Sequence, residues 1–464
     1  MTSLAKRPPS DQPLWNPAIE TLSTEALRDL QWQRLTPQLR YNVERSPFYR
    51  EKFESVGMTP DDVRSWDDFA AIPLMTKDEH RAAQERGLAE HGDPLALLNC
   101  APREEVVRIN ATSGTTGMPT LYALTQADVD VVNEMHARKY WRSGIRPGDV
   151  MIQALSLSMF TGGLPLSQGI MHLGAACVPV GIEGGTKRVL DFVTLTRPSA
   201  MIATPSFGQH LIEECRKHTG EPADALGITR FFCAGEPGGG DPAVRMALSE
   251  GFGGAAIFDH TGGGHAFHAI SREEPADQFS GMYFVSGDHC LLELIDPKTR
   301  APIALADGAV GEMVWTFLSW RGGPFLRYAM GDVAEVFTSP CPSGTLGLRF
   351  RIIGRADDML IVKGANVYPA AIQNAVFAFR PDVTGVFRII LDRPGPKVTP
   401  PLKLRIEHGP QVGAGDVDAL GKRINAHLRG TLRVSAVFEW VPPGTLPREA
   451  HKSRLVVIED GETG

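Results

Sequence analysis

Apolar residues recur along this chain with two spacings, one typical of amphipathic helices and one typical of short strands. From Thr24 to about Phe53 the spacing is mostly helical, and Ser46-Pro47 interrupts it. Further helical stretches and short apolar runs then alternate, with helices predicted at 126–142, 164–173, 187–196 and 207–217 and strands at 150–154, 177–180, 200–203 and 231–234. This alternation predicts a layered α/β domain with a largely parallel sheet.

The pattern changes after Tyr283, where closely spaced strands are separated by Gly and Pro turns. The runs 291–295 and 312–315 predict a smaller β-rich lobe that follows the α/β layers. Near 354–364 the sequence becomes polar and contains glycine, and the remainder has a β-α-β-like pattern of its own. We therefore predict a large N-terminal domain, residues 1–355, and a small C-terminal α+β domain, residues 356–464.

Composition narrows the class of protein. A chain of 464 residues exceeds what one hydrophobic core usually supports. The net charge of -7 is spread over interspersed acidic and basic residues, which gives no basic stripe for nucleic acid and no polybasic arm for a membrane. The N-terminus lacks an apolar signal region and no run of 18 apolar residues occurs, so a soluble, unprocessed protein is expected. Six cysteines without C-x-x-C spacing predict free thiols and a cytoplasmic location.

The segment 111–120 is rich in hydroxyls and glycine, and apolar runs at 106–109 and 121–124 predict a hairpin around it. Glycines let several N–H groups face one point, and short hydroxyls add donors, so the segment suits phosphate oxygens. The Walker pattern is absent, and an ordinary surface loop is the alternative. The candidate phosphate ligands are Thr112, Ser113, Gly114, Thr115, Thr116 and Gly117.

Further segments, in this order, give the chain a specific resemblance to one family. They are 41–50, the loop 112–117, Phe160-Thr161-Gly162-Gly163, 203–206, Ala234-Gly235-Glu236-Pro237-Gly238, 327–332, 354–360 and 446–452. The chain resembles the acyl-adenylate-forming (ANL) superfamily, and within it the phenylacetate-CoA ligase branch. The resemblance implies a large adenylate-forming domain followed by a small mobile lid domain.

The same resemblance implies a two-step reaction. The protein would activate an aryl or arylacetic carboxylate with ATP as acyl-AMP, release pyrophosphate, and transfer the acyl group to coenzyme A. Because charge builds on phosphorus oxygens, donors that meet that charge lower the barrier. The loop would hold the β- and γ-phosphates. The remaining nucleotide contacts implied are Gly235, Glu236 and Pro237 along the adenine, Asp332 and Arg355 at the ribose or phosphates, and Asp259, His260 and Thr261 after a predicted strand.

Three more roles follow from the resemblance. Lys452 matches the position of the family's adenylation lysine, whose flexible ammonium bridges the carboxylate and the α-phosphate in the transition state. Asp357 matches the hinge between the two domains, with a solvated loop carboxylate as the alternative. Rotation there would withdraw Lys452 and bring Lys363 and Gly364 to the site for the coenzyme A step.

The acyl pocket is assigned to residues at the ends of the predicted strands and at a helix start. An aromatic ring would lie against Leu155 and Phe160, although Phe160 fits the hydrophobic core equally well. The candidate pocket residues are Leu155, Phe160, Thr161, Gly162, Gly163 and Ala234.

The sequence departs from the family pattern where a glutamate usually helps to hold Mg²⁺. Gly262 stands at that position, and Asp259 is a candidate replacement carboxylate. Met118, where lysine is common, removes one positive charge near the phosphates. His260, His265 and His268 lie in the same segment and raise two further hypotheses. They could bind zinc, or His260 could contact a polar group of the acid in the acyl pocket.

Two alternatives therefore stay open beside the ligase hypothesis. An adenylating ligase that passes the acyl group to an amine or hydroxyl shares every motif above. A nucleotide-binding pseudo-enzyme is the other alternative, because Gly262 replaces the metal-binding glutamate. The expected partners are ATP, Mg²⁺, coenzyme A and an aromatic carboxylic acid, and the oligomeric state, including a homodimer, is left open.

Overall fold

A computed structural model describes residues 5–112, 118–159, 162–340, 347–363, 365–393, 395–413, 415–447 and 455–459. Its helices are α1 Pro17–Glu20, α2 Thr24–Arg45, α3 Pro47–Glu54, α4 Trp66–Ala71, α5 Lys77–His91, α6 Gln126–Arg142, α7 Leu164–Leu173, α8 Gly185–Thr196, α9 Pro205–Thr219, α10 Pro242–Gly251, α11 Pro369–Phe377 and α12 Val417–Leu432. No helix in these ranges is long and apolar enough to cross a membrane.

The strands of the N-terminal part are β1 Met75–Thr76, β2 Val106–Ala111, β3 Leu121–Thr125, β4 Val150–Gln153, β5 Ala176–Pro179, β6 Ala200–Ala203, β7 Arg230–Cys233, β8 Ala256–Thr261, β9 Ala269–Ser271, β10 Met282–Phe284, β11 Cys290–Ile295, β12 Pro302–Ile303, β13 Val310–Phe317, β14 Tyr328–Phe337 and β15 Arg349–Arg355. Those that follow are β16 Leu360–Val362, β17 Ala365–Val367, β18 Val383–Leu391, β19 Lys397–Val398, β20 Leu402–His408, β21 Ala436–Val441 and β22 Val456–Ile458.

The predicted break at Ser46-Pro47 divides two helices. Helix α2 ends at Arg45 and α3 begins at Pro47, where the missing N–H of proline costs no helical hydrogen bond. The Ser46 side chain accepts a hydrogen bond from the Tyr49 N–H and so caps α3. Tyr49 and Phe53 then pack into the main core cluster.

The largely parallel sheet is confirmed. Strands β5, β4, β6, β7 and β8 lie side by side in that order, and every neighbouring pair among them is parallel. Helices cover both faces. Tyr140 of α6 and Ile170 of α7 pack on the face that carries Phe232, whereas α8, α9 and α10 pack on the face that carries Phe231. The two faces therefore have separate cores.

The predicted β-rich lobe is present, and its strands continue the same sheet. Strand β8 pairs parallel with β7 on one edge and antiparallel with β9 on the other. Through this strand, the described residues form one 13-stranded sheet in the order β12-β11-β13-β14-β15-β10-β9-β8-β7-β6-β4-β5, with β1 paired to β14. Strand β8 is thus where the two halves of the large sheet meet.

A buried ion network fixes α6 against the turn between β10 and β11. Arg138 lies 2.5 Å from Glu134 on the same helix and 2.7 Å from Asp288 in that turn, and each of these side chains is 1% exposed. Arg34 of α2 also donates to Asp288. Because every charge in the network is paired, burial of these groups is tolerated and the position of α6 is held.

The C-terminal part has its own sheet and core. Strands β21, β20, β18 and β22 are hydrogen-bonded in that order, and α11 and α12 pack with them. At the junction with the larger part, Phe377 of α11 belongs to the core beneath α8–α10, and Arg380 donates to Gln209 of α9. A small α+β domain following the large α/β domain is therefore confirmed.

Candidate active site

The base of the predicted phosphate loop is closed by a hairpin of β2 and β3. Strands β2 and β3 pair antiparallel, the Thr112 N–H donates to the Thr120 carbonyl at 3.0 Å, and the two threonine hydroxyls lie 2.6 Å apart. The loop tip itself, with Ser113, Gly114, Thr115, Thr116 and Gly117, lies outside the described residues. The predicted hairpin is confirmed, and the role of its tip stays a prediction.

Helix α5 supports the strand that leaves this loop. The Gln84 amide donates to the Pro119 carbonyl at 3.0 Å and accepts from the Leu121 N–H at 2.6 Å. His80 Nε2 lies 2.9 Å from the Leu121 carbonyl oxygen. Burial lowers the pKa of His80 to about 4, so the ring is neutral near pH 7 and Nε2–H is the donor.

The predicted adenine segment follows β7 directly. Gly235 has a φ of +85°, in the left-handed region, and begins the turn that leaves the strand. A Cβ at Gly235 would lie 3.7 Å from Leu155, so this segment borders a predicted acyl-pocket residue. Glu236 accepts from the Ser206 N–H at 2.6 Å, at the N-terminus of α9 where a negative charge is favoured.

Asp259 lies beneath this segment. A Cβ at Gly239 would come within 2.4 Å of its Oδ1, and its N–H donates to Ser271 Oγ at 2.9 Å. Burial raises the pKa of Asp259 to about 7, and Arg245, which binds the Gly239 carbonyl, opposes that rise. Along a strand, side chains alternate between faces, so Asp259 and His260 point to opposite sides of the sheet.

Asp332 and Arg355 face each other across β14 and β15. Their backbone positions pair in the antiparallel register, and Arg355 Nη1 lies 3.0 Å from Asp332 Oδ1. The same guanidinium binds Asp357 through two hydrogen bonds of 2.8 Å. A Cβ at Gly331, whose φ is +91°, would lie 2.8 Å from Arg355 Nη2, so glycine leaves room for this arrangement.

Solvent reaches the cluster of Asp332, Arg355 and Asp357. The side chains of Arg355 and Asp332 are 21% and 23% exposed, and that of Asp357 is 58% exposed. Partial burial acts to raise the pKa of Asp357, but the paired Arg355 outweighs it and holds that pKa below its usual value. One cation thus joins the predicted ribose-binding carboxylate to the predicted hinge.

Two predicted residues of the small domain cannot be placed in the site. Lys452 and Gly364 lie outside the described residues. Lys363 is exposed directly after β16 and has a φ of +50°, in the left-handed region. Its geometry is that of a turn, and its assignment to the coenzyme A step stays a prediction.

The described members of the predicted acyl pocket lie just beyond the carboxyl ends of β4 and β7 and just before α7. Leu155 and Ala234 are each 8% exposed and belong to the same core cluster. Gln153 donates to the Gly162 carbonyl at 3.2 Å, and a Cβ at Gly163 would lie 2.7 Å from the Ser158 carbonyl oxygen. Phe160 and Thr161 lie outside the described residues.

A buried lysine on α6 holds the segment that follows β8. Lys139 Nζ lies 3.3 Å from His260 Nδ1, 3.1 Å from the Thr261 carbonyl oxygen and 3.2 Å from that of Gly262. His136 Nε2 lies 3.1 Å from the Gly263 carbonyl oxygen in the same segment. Burial lowers the pKa of Lys139 well below its usual value.

Sequence reasoning missed Lys139, although a signal was present. Lys139 lies on the face of α6 that also carries Val132 and Met135, where the helical spacing predicts core residues. A lysine in an apolar stripe must find buried partners or change its charge. A lysine among apolar positions at helical spacing is therefore a signal that distinguishes Lys139 from the exposed lysines of the chain.

Gly262 cannot be replaced by glutamate without rearrangement. Its φ is +97°, and a Cβ there would come within 2.4 Å of the Phe267 carbonyl oxygen and 2.7 Å of His268 Nδ1. His265 and His268 are buried close by, with ring centroids 6.0 Å apart. Across the described ranges, however, no three His, Cys, Asp or Glu side chains meet in a group that could hold a metal ion.

Comparisons with known families match both parts of the chain. The family described as AMP-binding enzyme matches residues 60–316, and the AMP-binding enzyme C-terminal domain matches residues 364–459. The phenylacetate-coenzyme A ligase of Thermus thermophilus is 34% identical over 96% of this chain and 99% of its own length. Those of Escherichia coli and Aromatoleum evansii are 32% and 30% identical and cover 78% and 93% of this chain, with the same shares of their own lengths.

Solved structures similar to this chain are also acid–CoA ligases. A 2-hydroxyisobutyryl-CoA ligase in its postadenylation state, in complex with 2-HIB-AMP, has a TM-score of 0.86 and 27% identity, and the match covers 99% of this chain and 95% of that one. In its thioesterification state the same ligase has a TM-score of 0.69, 28% identity and the same coverage. The arrangement described here is therefore nearer to the postadenylation state. This chain belongs to the AMP-binding enzyme family and, within it, to the phenylacetate-CoA ligase-like branch of the acyl-adenylate-forming enzymes.

Proposed function

We propose that this protein is an ATP-dependent acid–CoA ligase that activates an aryl or arylacetic carboxylate as acyl-AMP and then forms the coenzyme A thioester. The observation that carries the proposal is the pairing of Asp332 with Arg355 across two adjacent strands. A carboxylate in that position suits both ribose hydroxyls, and the guanidinium suits ribose or phosphate oxygens. The whole-length similarity to phenylacetate-coenzyme A ligases supports the acid and the acceptor.

In the first half-reaction, the carboxylate attacks the α-phosphate of ATP. The P–O bond to pyrophosphate breaks as the acyl–phosphate bond forms, and negative charge moves to the leaving group. The loop Thr112, Ser113, Gly114, Thr115, Thr116 and Gly117 would donate to that leaving group, and Lys452 would stabilise the charge around the α-phosphate. Gly235, Glu236 and Pro237 would border the adenine.

The second half-reaction requires the small domain to move. We assign residues 1–355 and 356–464 to the two domains and Asp357 to the hinge. In the present arrangement Arg355 holds Asp357 through two hydrogen bonds, so rotation there must break or carry along that ion pair. Lys363 and Gly364 would then approach the site, and the coenzyme A thiolate would displace AMP from the acyl carbon.

The described residues do not fit the usual protein-held magnesium. Gly262 offers no carboxylate and no room for one, and Asp259 points away from His260 toward the core beneath Gly239. No step is therefore assigned to a metal held by the protein, and Mg²⁺ would enter with the phosphates of ATP. Asp259, His260 and Thr261 are proposed to border the bound adenylate without holding a metal.

We propose a cytoplasmic location for this protein. Each cysteine in the described ranges is free, which suits a reducing cytoplasm. The chemistry proposed above needs residues of one chain alone, and a homodimer is compatible with it.

Product analysis tests this function. Purified protein, ATP, coenzyme A and phenylacetate or benzoate should yield AMP, pyrophosphate and an acyl-CoA detected by mass. AMP formation with an amide or ester as the product would identify the alternative acceptor. ATP binding without any turnover across a panel of aromatic and small aliphatic acids would favour the pseudo-enzyme and reject the ligase.

A further inference from the structure

We propose that His260 selects the acid by a hydrogen bond between its Nε2 and a hydroxyl group on the acyl chain or ring. The preferred substrate would then be a hydroxyl-bearing carboxylic acid rather than an unsubstituted one. This inference rests on the proposed ligase function, because it concerns the acid that the same site activates.

The position of His260 links it to the predicted acyl pocket. Cys233 and Asp259 are partners in the parallel register of β7 and β8, so the next residues, Ala234 and His260, also lie side by side. The His260 ring centroid is 6.0 Å from that of Tyr140 and 6.3 Å from that of Phe232. Those two rings share a core cluster with Leu155 and Ala234. His260 is therefore on the acyl-pocket side of the sheet, at its carboxyl edge.

His260 Nε2 is a buried polar atom for which the described residues offer no hydrogen-bond partner. The residue is 3% exposed. Leaving such an atom unpaired is unfavourable, and a native structure normally supplies a partner from protein, water or ligand. A ligand oxygen in the acyl pocket would meet this need.

In the neighbouring rings of His136, His265 and His268, the buried nitrogen without a described partner is Nδ1 rather than Nε2. His136 Nε2 is paired with the Gly263 carbonyl, and His268 Nε2 lies 2.7 Å from the His265 carbonyl oxygen. In those rings, the Nε2 atom fastens the backbone of the segment after β8. His260 instead directs its Nδ1 to Lys139 and leaves Nε2 available.

Lys139 determines which hydrogen-bonding role Nε2 takes. If Lys139 is an ammonium, it donates to His260 Nδ1, and the neutral ring carries its proton on Nε2. If burial leaves Lys139 as a neutral amine, its two N–H groups can serve the Thr261 and Gly262 carbonyls while its lone pair accepts from Nδ1–H. Nε2 is then an acceptor.

A hydroxyl group satisfies both states, because it can accept from Nε2–H or donate to a bare Nε2. A methoxy or keto oxygen can only accept, and an ammonium group can only donate. The hydroxyl is therefore the substituent that fits His260 regardless of the proton on Lys139. Lys139 acts here as a positioning residue, through His260.

Matched acids test the proposal on the unmodified protein. ATP–pyrophosphate exchange is measured with phenylacetate and its 2-, 3- and 4-hydroxy derivatives, with mandelate, and with isobutyrate and 2-hydroxyisobutyrate. At least one hydroxylated acid should exceed its parent by roughly tenfold or more in kcat/KM. Parents that equal or exceed every hydroxylated partner would overturn the proposal. Exchange with no acid at all would instead reject the ligase function.

Variants then assign the preference to His260. In His260→Leu, the ratio of kcat/KM between the hydroxylated acid and its parent should fall to about one. The matched control is His265→Leu, the same change at a buried ring of the same segment, and it should keep the wild-type ratio. A His260→Leu protein that retains the ratio would contradict the assignment.

Lys139→Met tests the positioning role. The ratio should fall, and the double variant Lys139→Met/His260→Leu should lose no more selectivity than His260→Leu alone, because both changes act on one hydrogen bond. Additive losses of selectivity would show that Lys139 does not act through His260. The methoxy analogue of the preferred acid adds a second readout, since its use at a rate near that of the hydroxyl acid identifies Nε2 as a donor.

Discussion

The proposed nucleotide side and the proposed acyl side of this site differ in charge and in burial. On the nucleotide side, Asp332, Arg355 and Asp357 are charged, partly exposed and paired with one another. On the acyl side, His260 and Lys139 are buried, and no carboxylate in the described ranges forms an ion pair with Lys139. The first arrangement can exchange partners with a charged ligand in water, whereas the second would discriminate between ligands through single hydrogen bonds to buried atoms.

This difference indicates which side should determine the affinity for ATP and which side should determine the selectivity for the acid. Exposed charges are screened by water and salt, so an ion pair between two side chains can be replaced by contacts with nucleotide oxygens at a small net cost in free energy. Buried polar atoms penalise a ligand that fails to pair with them. Variants on the nucleotide side should therefore change the use of ATP, and variants on the acyl side should change the choice of acid.

The largest effect is expected at Lys452. Lys452→Ala should lower acid-dependent ATP–pyrophosphate exchange by a factor on the order of 10²–10³, because an ammonium that meets transition-state charge is lost. Thioester formation from a synthetic acyl-adenylate and coenzyme A should be retained, since that step proceeds without Lys452. Equal losses in both steps would show that Lys452 is not specific to adenylation.

A second variant tests the proposed contact between Asp332 and the ribose. Asp332→Ala should raise the KM for ATP by roughly 10- to 100-fold, because hydrogen bonds to a carboxylate are lost, while the KM for the acid changes little. Asp307→Ala is the control, since Asp307 is an exposed carboxylate that accepts from the Thr338 and Ser339 N–H groups just beyond the carboxyl end of β14. A larger effect on the acid than on ATP would break the division between the two sides.

Filling the proposed acyl pocket should give a smaller effect, and this effect should fall on the acid rather than on ATP. Ala234→Leu adds bulk at a position that is 8% exposed and beside His260. The KM for an aromatic acid should rise about tenfold, because the added carbon atoms would occupy space that the acid fills. The KM for ATP should stay within a factor of about two. Unchanged kinetics for every acid would place the pocket elsewhere.

The smallest effect concerns stability and pH. Burial lowers the pKa of His265 to about 3, so below pH 6.5 the unfolded chain takes up a proton that the folded chain does not. Stability contributed by the neutral ring is therefore lost as the pH falls from about 6.5 toward 3, and the loss reaches about 1.4 kcal/mol at pH 5.5.

Urea unfolding at pH 7.5 and 5.5 measures this contribution. His265→Leu should reduce the difference in unfolding free energy between the two pH values by about that amount, ~1.4 kcal/mol. His91→Gln, a change at an exposed ring of α5, provides the control and should leave the difference as in the wild type. An unchanged difference in His265→Leu would show that His265 is not a source of acid sensitivity.

The helices and the parallel strands could be predicted because their signals are local. Apolar spacing alone predicted Gln126–Arg142 and Leu164–Leu173 with the bounds that the structure gives. The continuous sheet was not predicted, because the antiparallel partner of β8 depends on tertiary packing rather than on the pattern within the strand.

The candidate site likewise contains residues that could be predicted from the sequence and residues that could not. Asp332 and Arg355 were assigned from short motifs, and their register across β14 and β15 makes them neighbours, while their contact with the nucleotide stays a prediction. Lys139 and His260 are 121 positions apart in the sequence, and a local sequence pattern cannot predict a contact between residues so far apart. The residues that we propose for selectivity are thus the ones that sequence could not pair.

Acid-dependent ATP–pyrophosphate exchange without coenzyme A tests the central claim most directly. The account predicts exchange of labelled pyrophosphate into ATP that requires a carboxylic acid and falls sharply in Lys452→Ala. Tight ATP binding with no exchange in the presence of any aromatic or hydroxylated acid would contradict it.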